Sequence, residues 1–205
     1  MNQTRQQLEN TMIKIIFFDL DGTLREAASG KTFINEPTDQ KPIEGTQKAL
    51  AYYQSKGFTL IGITNQGGVA AGHKSLESAI EEQRITLELF PELLKVYISP
   101  DFEGNRCICV DRKSYADTAY PQLRGKFRKP EPGMIQIQFE SCNLPPKKEK
   151  CWMIGDRPED EACAAAAGVK FVWASVMHAQ FAGPGMEEID CQHIPADVLM
   201  EFLAL

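Results

Sequence analysis

Two aspartates spaced two residues apart, Asp19 and Asp21, end the run KIIFFDLDGTL from Lys14 to Leu24. Gly22 lets the chain turn sharply behind them, so the pair forms a small acidic cup. Such a cup repels a substrate phosphate unless a cation sits in it. Mg²⁺, which takes carboxylate, carbonyl and water oxygens and bridges to phosphate, suits it best. The bland alternative is an acidic strand-to-turn junction that merely caps a helix. Three further polar clusters stand out, two after apolar runs and one, FRKPEPGM, at the end of a long irregular stretch. In ITNQGG, the hydroxyl of Thr64 and the glycine turn beyond Asn65 offer donors to an anion, although such a stretch is often just a loop. In FRKPEPGM, Arg128 and Lys129 precede a Pro-marked helix start, where an ordinary surface lysine is the competing reading. In GDRPED, Asp156 can give a second carboxylate to a metal, and Asp160, one helical turn later, can orient that shell or Lys129. Alternatively, the acids of this last cluster simply complement a helix N-terminus.

These groups need elements to hold them. The apolar run Ile15–Phe18 has the composition of a strand buried on both faces, with Asp19 at its carboxyl end, where open α/β sheets bind ligands. Further strands are expected at Phe58–Ile63, Leu94–Ile98, Cys151–Ile154 and Val169–Trp173. Helices are expected over Glu44–Lys56, with Leu50 and Tyr53 inward and Gly57 as its stop, and over Ser75–Phe90. In the second, Ser75 is the N-cap and Leu76, Ile80, Leu87 and Phe90 face inward. Residues 133–142 fit both alternation and a helix, and the upstream prolines with the need for a crossover favour the helix. Ala162–Ala167 ends on Gly168, and a final helix from Ala196 follows a Gly-Pro-Gly break.

Strands alternating with helices define an α/β domain with a doubly wound parallel sheet. The chain is read as one domain over 1–205, with its core at about 13–173 and a C-terminal tail at 175–205. Residues 25–42 carry no period and are expected to form a flap over the site, with Ser29 to Lys31 at its tip. Residues 100–129 also carry none, and so long an irregular stretch is usually functional. It bears Arg106, Arg112, Lys113, Arg124, Lys126, Arg128 and Lys129 against Asp101, Glu103, Asp111 and Asp117. That local basic excess beside an acidic cup suits a phosphorylated substrate, although a solvated loop would look the same.

DLDGT, ITN, KPEPGM and GDRPEDEACAAAAG together resemble the four motifs of the haloacid dehalogenase (HAD) superfamily of phosphatases, subfamily IIIA. The branch concerned holds histidinol-phosphate, heptose-bisphosphate and polynucleotide 3′-phosphatases. The resemblance implies a Rossmann-like core, and because no segment between the motifs is long enough for a folded cap domain, beyond a small excursion in 100–129, the chain is read as capless. It also implies Asp19 as a nucleophile that forms an aspartyl phosphate, and Asp21 as general acid and base. Metal ligation falls to Asp19, the Asp21 carbonyl and Asp156, while phosphate contacts fall to Thr64, Asn65, Lys129, Arg128 and the turn at Gly22, with Asp160 in support. Part of this branch carries a zinc loop around a C-x-C pair. Here only Cys107 and Cys109 remain, with Ser99 and Asp101 where other ligands would stand. Two thiolates do not close a tetrahedral site, so Mg²⁺ is expected and zinc is not.

At 205 residues the chain is long enough to bury roughly 70% of its unfolded surface. A net charge of −6 disfavours general adhesion to nucleic acid or anionic membrane. The first dozen residues lack the apolar core of a signal peptide, so a cytoplasmic protein with no membrane partner is expected, its cysteines mostly small core residues. Oligomeric state leaves no trace in the sequence. The expected substrate is a small phosphorylated sugar or alcohol. The alternative is a DNA 3′ end, because SGKTF in the flap resembles the polynucleotide 3′-phosphatases. A non-catalytic phospho-ligand binding or regulatory domain is the reading of another class. Asp21 argues against it, since a domain that only stores phosphate needs no acid two residues on.

Overall fold

The computed structural model describes residues 13–142, 146–182 and 195–205. The first dozen residues, the Gly-Pro-Gly break and Cys191 lie outside them. In chain order the described elements begin with β1 (Lys14–Phe18), β2 (Arg25–Glu26), β3 (Lys41–Pro42), α1 (Thr46–Ser55) and β4 (Phe58–Asn65). Next come α2 (Gly67–Ala70), α3 (Leu76–Leu89), β5 (Leu93–Ser99), β6 (Ile108–Val110), β7 (Tyr115–Asp117) and α4 (Gly133–Glu140). The chain closes with β8 (Trp152–Gly155), α5 (Pro158–Ala167), β9 (Lys170–Trp173), α6 (Ala174–Phe181) and α7 (Ala196–Leu203).

The main sheet has the order β7-β6-β5-β4-β1-β8-β9. Strand β1 pairs in parallel with β4 on one side and β8 on the other, and β4 with β5 and β8 with β9 are parallel too. The five expected strands are therefore the five parallel ones. Their alternation supports the expected helices on both faces. Ile16 and Phe18 join a cluster with Leu50, Tyr53, Ile80, Leu87, Met177 and Phe202. Ile15 and Phe17 join one with Met134, Ile135, Cys163 and Ala167. A strand with every side chain between packed helices must be apolar throughout, which is why IIFF reads as it does.

Two stretches hold more structure than their sequence suggests. Residues 100–129 contain the hairpin of β6 and β7, which extends the sheet antiparallel from β5, and a 3₁₀ turn at Pro121–Leu123. The flap is closed at its base by the antiparallel pair β2 and β3. Ser29 ties it again, donating from its backbone N–H (2.7 Å) and hydroxyl (2.6 Å) to the Asp39 carboxylate. Helix α4 settles the ambiguity of 133–142 in favour of helix, and Ser75 caps α3 by accepting the Ser78 N–H at 3.0 Å. Helix α6 was not expected from the sequence. It starts directly after β9, where the sequence reading placed the tail.

Candidate active site

The carboxyl ends of β1, β4 and β8 meet at a cleft of about 630 Å³ lined by Asp19, Asp21, Gly22, Thr64, Asn65, Arg128, Lys129 and Asp156, with flap residues 31–35 on its outer side. Every expected site residue except Asp160 lines it, and Asp160 stands directly behind. Asp19 continues β1, its N–H donating to the Ile154 carbonyl at 2.9 Å. Gly22 has φ +90°, and a Cβ there would lie 2.4 Å from Asp156 Oδ2. Glycine is thus required twice, for the turn and for the approach of two acidic loops.

Lys129 is the centre of charge. Its ammonium is buried and donates to Asp19 Oδ1, to Asp160 Oδ1 at 2.7 Å and to the Ile63 carbonyl at 3.4 Å. Burial alone would lower its pKa, but the Asp19 and Asp160 carboxylates outweigh that and hold it above the ordinary lysine value. The Asp19 pKa is raised as well, up to about 7. Burial is the main cause, Lys129 opposes it, and the charges of Asp160 and Asp21 add to it. Asp156 is also raised, by burial first and then by Asp160, with Arg157 opposing. One ammonium does not neutralise this group of acids.

A divalent cation fits that imbalance. Asp19, Asp156 and Asp160 can bring ligand oxygens within 4.8 Å of one another. Asp160, however, is fully committed elsewhere. One oxygen holds Lys129, and the other accepts the backbone N–H groups of Asp156 and Arg157 at 3.1 Å each. Asp19 and Asp156 are thus the carboxylates of the three that could be given over to a cation, with Asp160 holding the loop that presents the second. Thr23 Oγ1, fully buried, lies 3.4 Å from Asp19 Oδ2 and 3.5 Å from Asp156 Oδ1, a bridging position that the sequence reading gave no role.

Asn65 does more than line the cleft. Its side-chain amide donates to the Lys129 carbonyl and accepts the Lys129 N–H, each at 3.0 Å, and so clamps the lysine's backbone. Arg128 stacks its guanidinium 5.4 Å from the centre of the Phe102 ring. Its Nη1 is buried with no hydrogen-bond partner among the described residues, so the arginine has a donor to spare for an anion in the cleft. The C-x-C pair and Asp101, where part of the branch carries a zinc loop, are engaged as follows. The Cys107 thiol is buried and pushed well above its ordinary value by that burial, and the Asp101 carboxylate accepts the N–H groups of Asn105 and Arg106 at 2.8 and 2.9 Å.

Beside Asp21 lies a buried polar network with no counterpart in the sequence reading. Arg25 donates from Nε to Asp21 Oδ1 at 3.0 Å and from its terminal nitrogens to Glu82 Oε1 at 2.6 Å, Gln40 Oε1 at 2.8 Å and Thr86 Oγ1. Glu82 also accepts from Lys74 and, at 3.2 Å, from Gln66. Lys74 reaches the flap by donating to the Ile34 carbonyl at 2.8 Å. In sequence, Glu82, Gln83 and Thr86 read as the wet side of an amphipathic helix; in the fold all three are buried.

A buried carboxylate, an acid two residues on, a hydroxyl, a lysine and a second acidic loop that meet at one cleft are the groups of a phosphatase of the haloacid dehalogenase type. The chain belongs to the family described as polynucleotide kinase 3 phosphatase, whose model matches residues 14–185. The D-glycero-beta-D-manno-heptose-1,7-bisphosphate 7-phosphatase of Haemophilus ducreyi is 32% identical over 163 residues, covering 77% of this chain and 80% of that protein. The histidine biosynthesis bifunctional protein HisB of Legionella pneumophila is 30% identical over 172 residues, covering 82% of this chain but 43% of that protein. Among solved structures, D,D-heptose 1.7-bisphosphate phosphatase from B. bronchiseptica, complexed with magnesium and phosphate, superposes with a TM-score of 0.58 at 19% identity, covering 94% of this chain and 99% of that one. No described helix is long and apolar enough to cross a membrane.

Proposed function

We propose that this phosphatase hydrolyses a small phosphorylated sugar or alcohol with Mg²⁺, through an aspartyl phosphate on Asp19. The observation that carries the reading is the arrangement at Asp19. Its carboxylate is buried at the cleft floor, one oxygen held by Lys129 and the other facing Thr23 and the Asp156 loop. Mg²⁺ bound by Asp19, Asp156 and the Asp21 carbonyl would supply positive charge that keeps Asp19 ionised and offsets charge on the phosphate. Asp19 attacks phosphorus as the bond to the leaving oxygen breaks, and Asp21 gives its proton to that oxygen. Asp21, now a carboxylate, takes a proton from water as the water oxygen attacks the aspartyl phosphate. Inorganic phosphate leaves, and Asp19 and Asp21 return to their starting states. Thr64, Lys129 and Arg128 offer donors to the phosphate oxygens.

The similarity to a heptose-bisphosphate phosphatase supports the small substrate, as does the acidic net charge. A second reading, a polynucleotide 3′-phosphatase, is favoured by Phe33, which lines the cleft from the flap and is 67% exposed. An exposed aromatic at a cleft mouth is the kind of surface on which a terminal base stacks. Turnover of phosphorylated sugars is to be compared with that of a 3′-phosphorylated oligonucleotide over a salt series. Efficient oligonucleotide turnover that falls steeply with salt means several phosphate contacts and overturns the small-substrate reading. Efficient sugar-phosphate turnover that depends weakly on salt sustains it.

A further inference from the structure

We infer that Arg25 is a positioning residue for Asp21. Its Nε–H holds Oδ1 of that carboxylate, so that the proton handled in the reaction resides on Oδ2. The inference rests on the acid and base role proposed above for Asp21 and deepens it.

Arg25 is fully buried, yet Asp21, which faces the cleft, has a side chain 43% exposed. Left alone, an exposed aspartate rotates freely among staggered conformers. Here the guanidinium fixes it from behind, and no hydrogen bond among the described residues reaches Oδ2. An Nε–H donor is compatible with both forms of the acid, because Oδ1 accepts it whether or not Oδ2 carries a proton. The contact can therefore fix geometry through both half-reactions.

The arginine is itself immobile. Glu82, Gln40 and Thr86 engage its terminal nitrogens, which leaves Nε as the arm that faces the cleft. Its backbone closes the same turn, since the Gly22 N–H donates to the Arg25 carbonyl at 2.9 Å and the Arg25 N–H to the Leu20 carbonyl at 3.0 Å. Gln40 belongs to the returning limb of the flap and also donates to the Glu82 carbonyl at 3.0 Å. One guanidinium thus sets the flap's return against α3 and the acid against the cleft. A purely structural ion pair with Glu82 would explain the burial, but it leaves the Nε contact without a task.

The test separates position from stability by leaving group. An alkyl phosphate needs its leaving oxygen protonated, whereas p-nitrophenolate departs without a proton, and kcat/KM reports the half-reaction in which it departs. The ratio of kcat/KM for p-nitrophenyl phosphate over that for an alkyl phosphate is the readout. Arg25→Lys keeps a positive charge opposite Glu82, but one ammonium cannot reach Asp21, Glu82, Gln40 and Thr86 together. It is expected to raise the ratio about tenfold, in the direction of Asp21→Asn and short of it. In the Asp21→Asn background it should raise it no further. Phe202→Leu, in the apolar cluster against Tyr53 and Trp152, should lower the melting temperature and leave the ratio where it was. If Arg25→Lys does not melt cooperatively, Arg25→Gln combined with Glu82→Gln removes that buried ion pair, leaves Lys74 its bonds to the Ile34 carbonyl and Gln66, and should give the same rise. An equal loss on both substrates in the folded Arg25 variant, or a rise that persists without Asp21, overturns the inference alone. A ratio unmoved by Asp21→Asn removes the acid role and the inference with it.

Discussion

Asp160 joins Lys129 to the Asp156 loop. One of its oxygens accepts the Lys129 ammonium, while the other accepts the N–H groups of Asp156 and Arg157 at the start of α5. The approach is so close that a Cβ on Gly155 would lie 2.4 Å from the Asp160 side chain. Asp160→Ala therefore removes a buried charge partner and the support of a helix start in one step. It should cost about 3 kcal/mol in denaturant unfolding and lower kcat by roughly 10²-fold, since a displaced lysine and acid both misplace the reacting groups. Near-wild-type stability and turnover would contradict this account of the residue.

Asp19→Asn tests the nucleophile. The amide cannot attack phosphorus, so kcat should fall by roughly 10³-fold or more. Folding should survive, because the carboxylate it replaces is held in a site whose burial and neighbouring acids oppose its ionisation, and Lys129 keeps Asp160 as a partner. Circular dichroism with a melting curve in chelator establishes the fold. Burst kinetics in the parent enzyme, absent in the variant, report the covalent intermediate.

Mg²⁺ binding should be proton-linked. With Asp19 raised from 3.8 to about 7 in the metal-free protein, ionising it costs stability. That cost is absent below the unfolded value and is fully present above about 7. The metal competes with the proton for this carboxylate, so its affinity should rise with pH up to about 7 and level off above it. Calorimetry at a series of pH values measures this. Chelator should abolish turnover, and Mg²⁺ at about 100 times its dissociation constant should stabilise the fold by about 2.7 kcal/mol. A flat affinity profile would dissociate Asp19 from the metal.

Cys107 and Cys109 should hold no zinc. Protein prepared without added zinc should contain well under one equivalent by elemental analysis, and a zinc chelator should leave its melting temperature unmoved. A full equivalent that resists chelation would make Ser99 and Asp101 bystanders to a site closed by other residues.

The sequence exposed the groups that carry local signals. Asp19, Thr64 and Asp156 each close an apolar run at a strand end, while Lys129 precedes a proline-marked helix start and meets partners that lie at those strand ends. Arg25 and Glu82 show the limit. They are 57 residues apart, and a glutamate on the polar side of an amphipathic helix is indistinguishable in sequence from a solvated one until something is packed over it. The role of Asn65 as a clamp on Lys129 was hidden for the same reason, since its partners are backbone groups 64 residues away. Strands β6 and β7, three residues each, and the two-residue pair in the flap are too short to carry a period. Their pairing is imposed by the sheet edge and the flap's own closure.

Strand β1 lies between β4 and β8, and the reacting groups hang from the ends of these three inner neighbours. Their mutual spacing is set by the peptide ladder, at about 4.8 Å from strand to strand, more than by side-chain packing. Amides in those strands exchange with solvent only when the whole domain opens, whereas the flap and the β6–β7 hairpin, held by few ladder bonds, can breathe at far lower cost. The flap, which borders the cleft, can therefore loosen and reclose many times while the chemical centre stays in register.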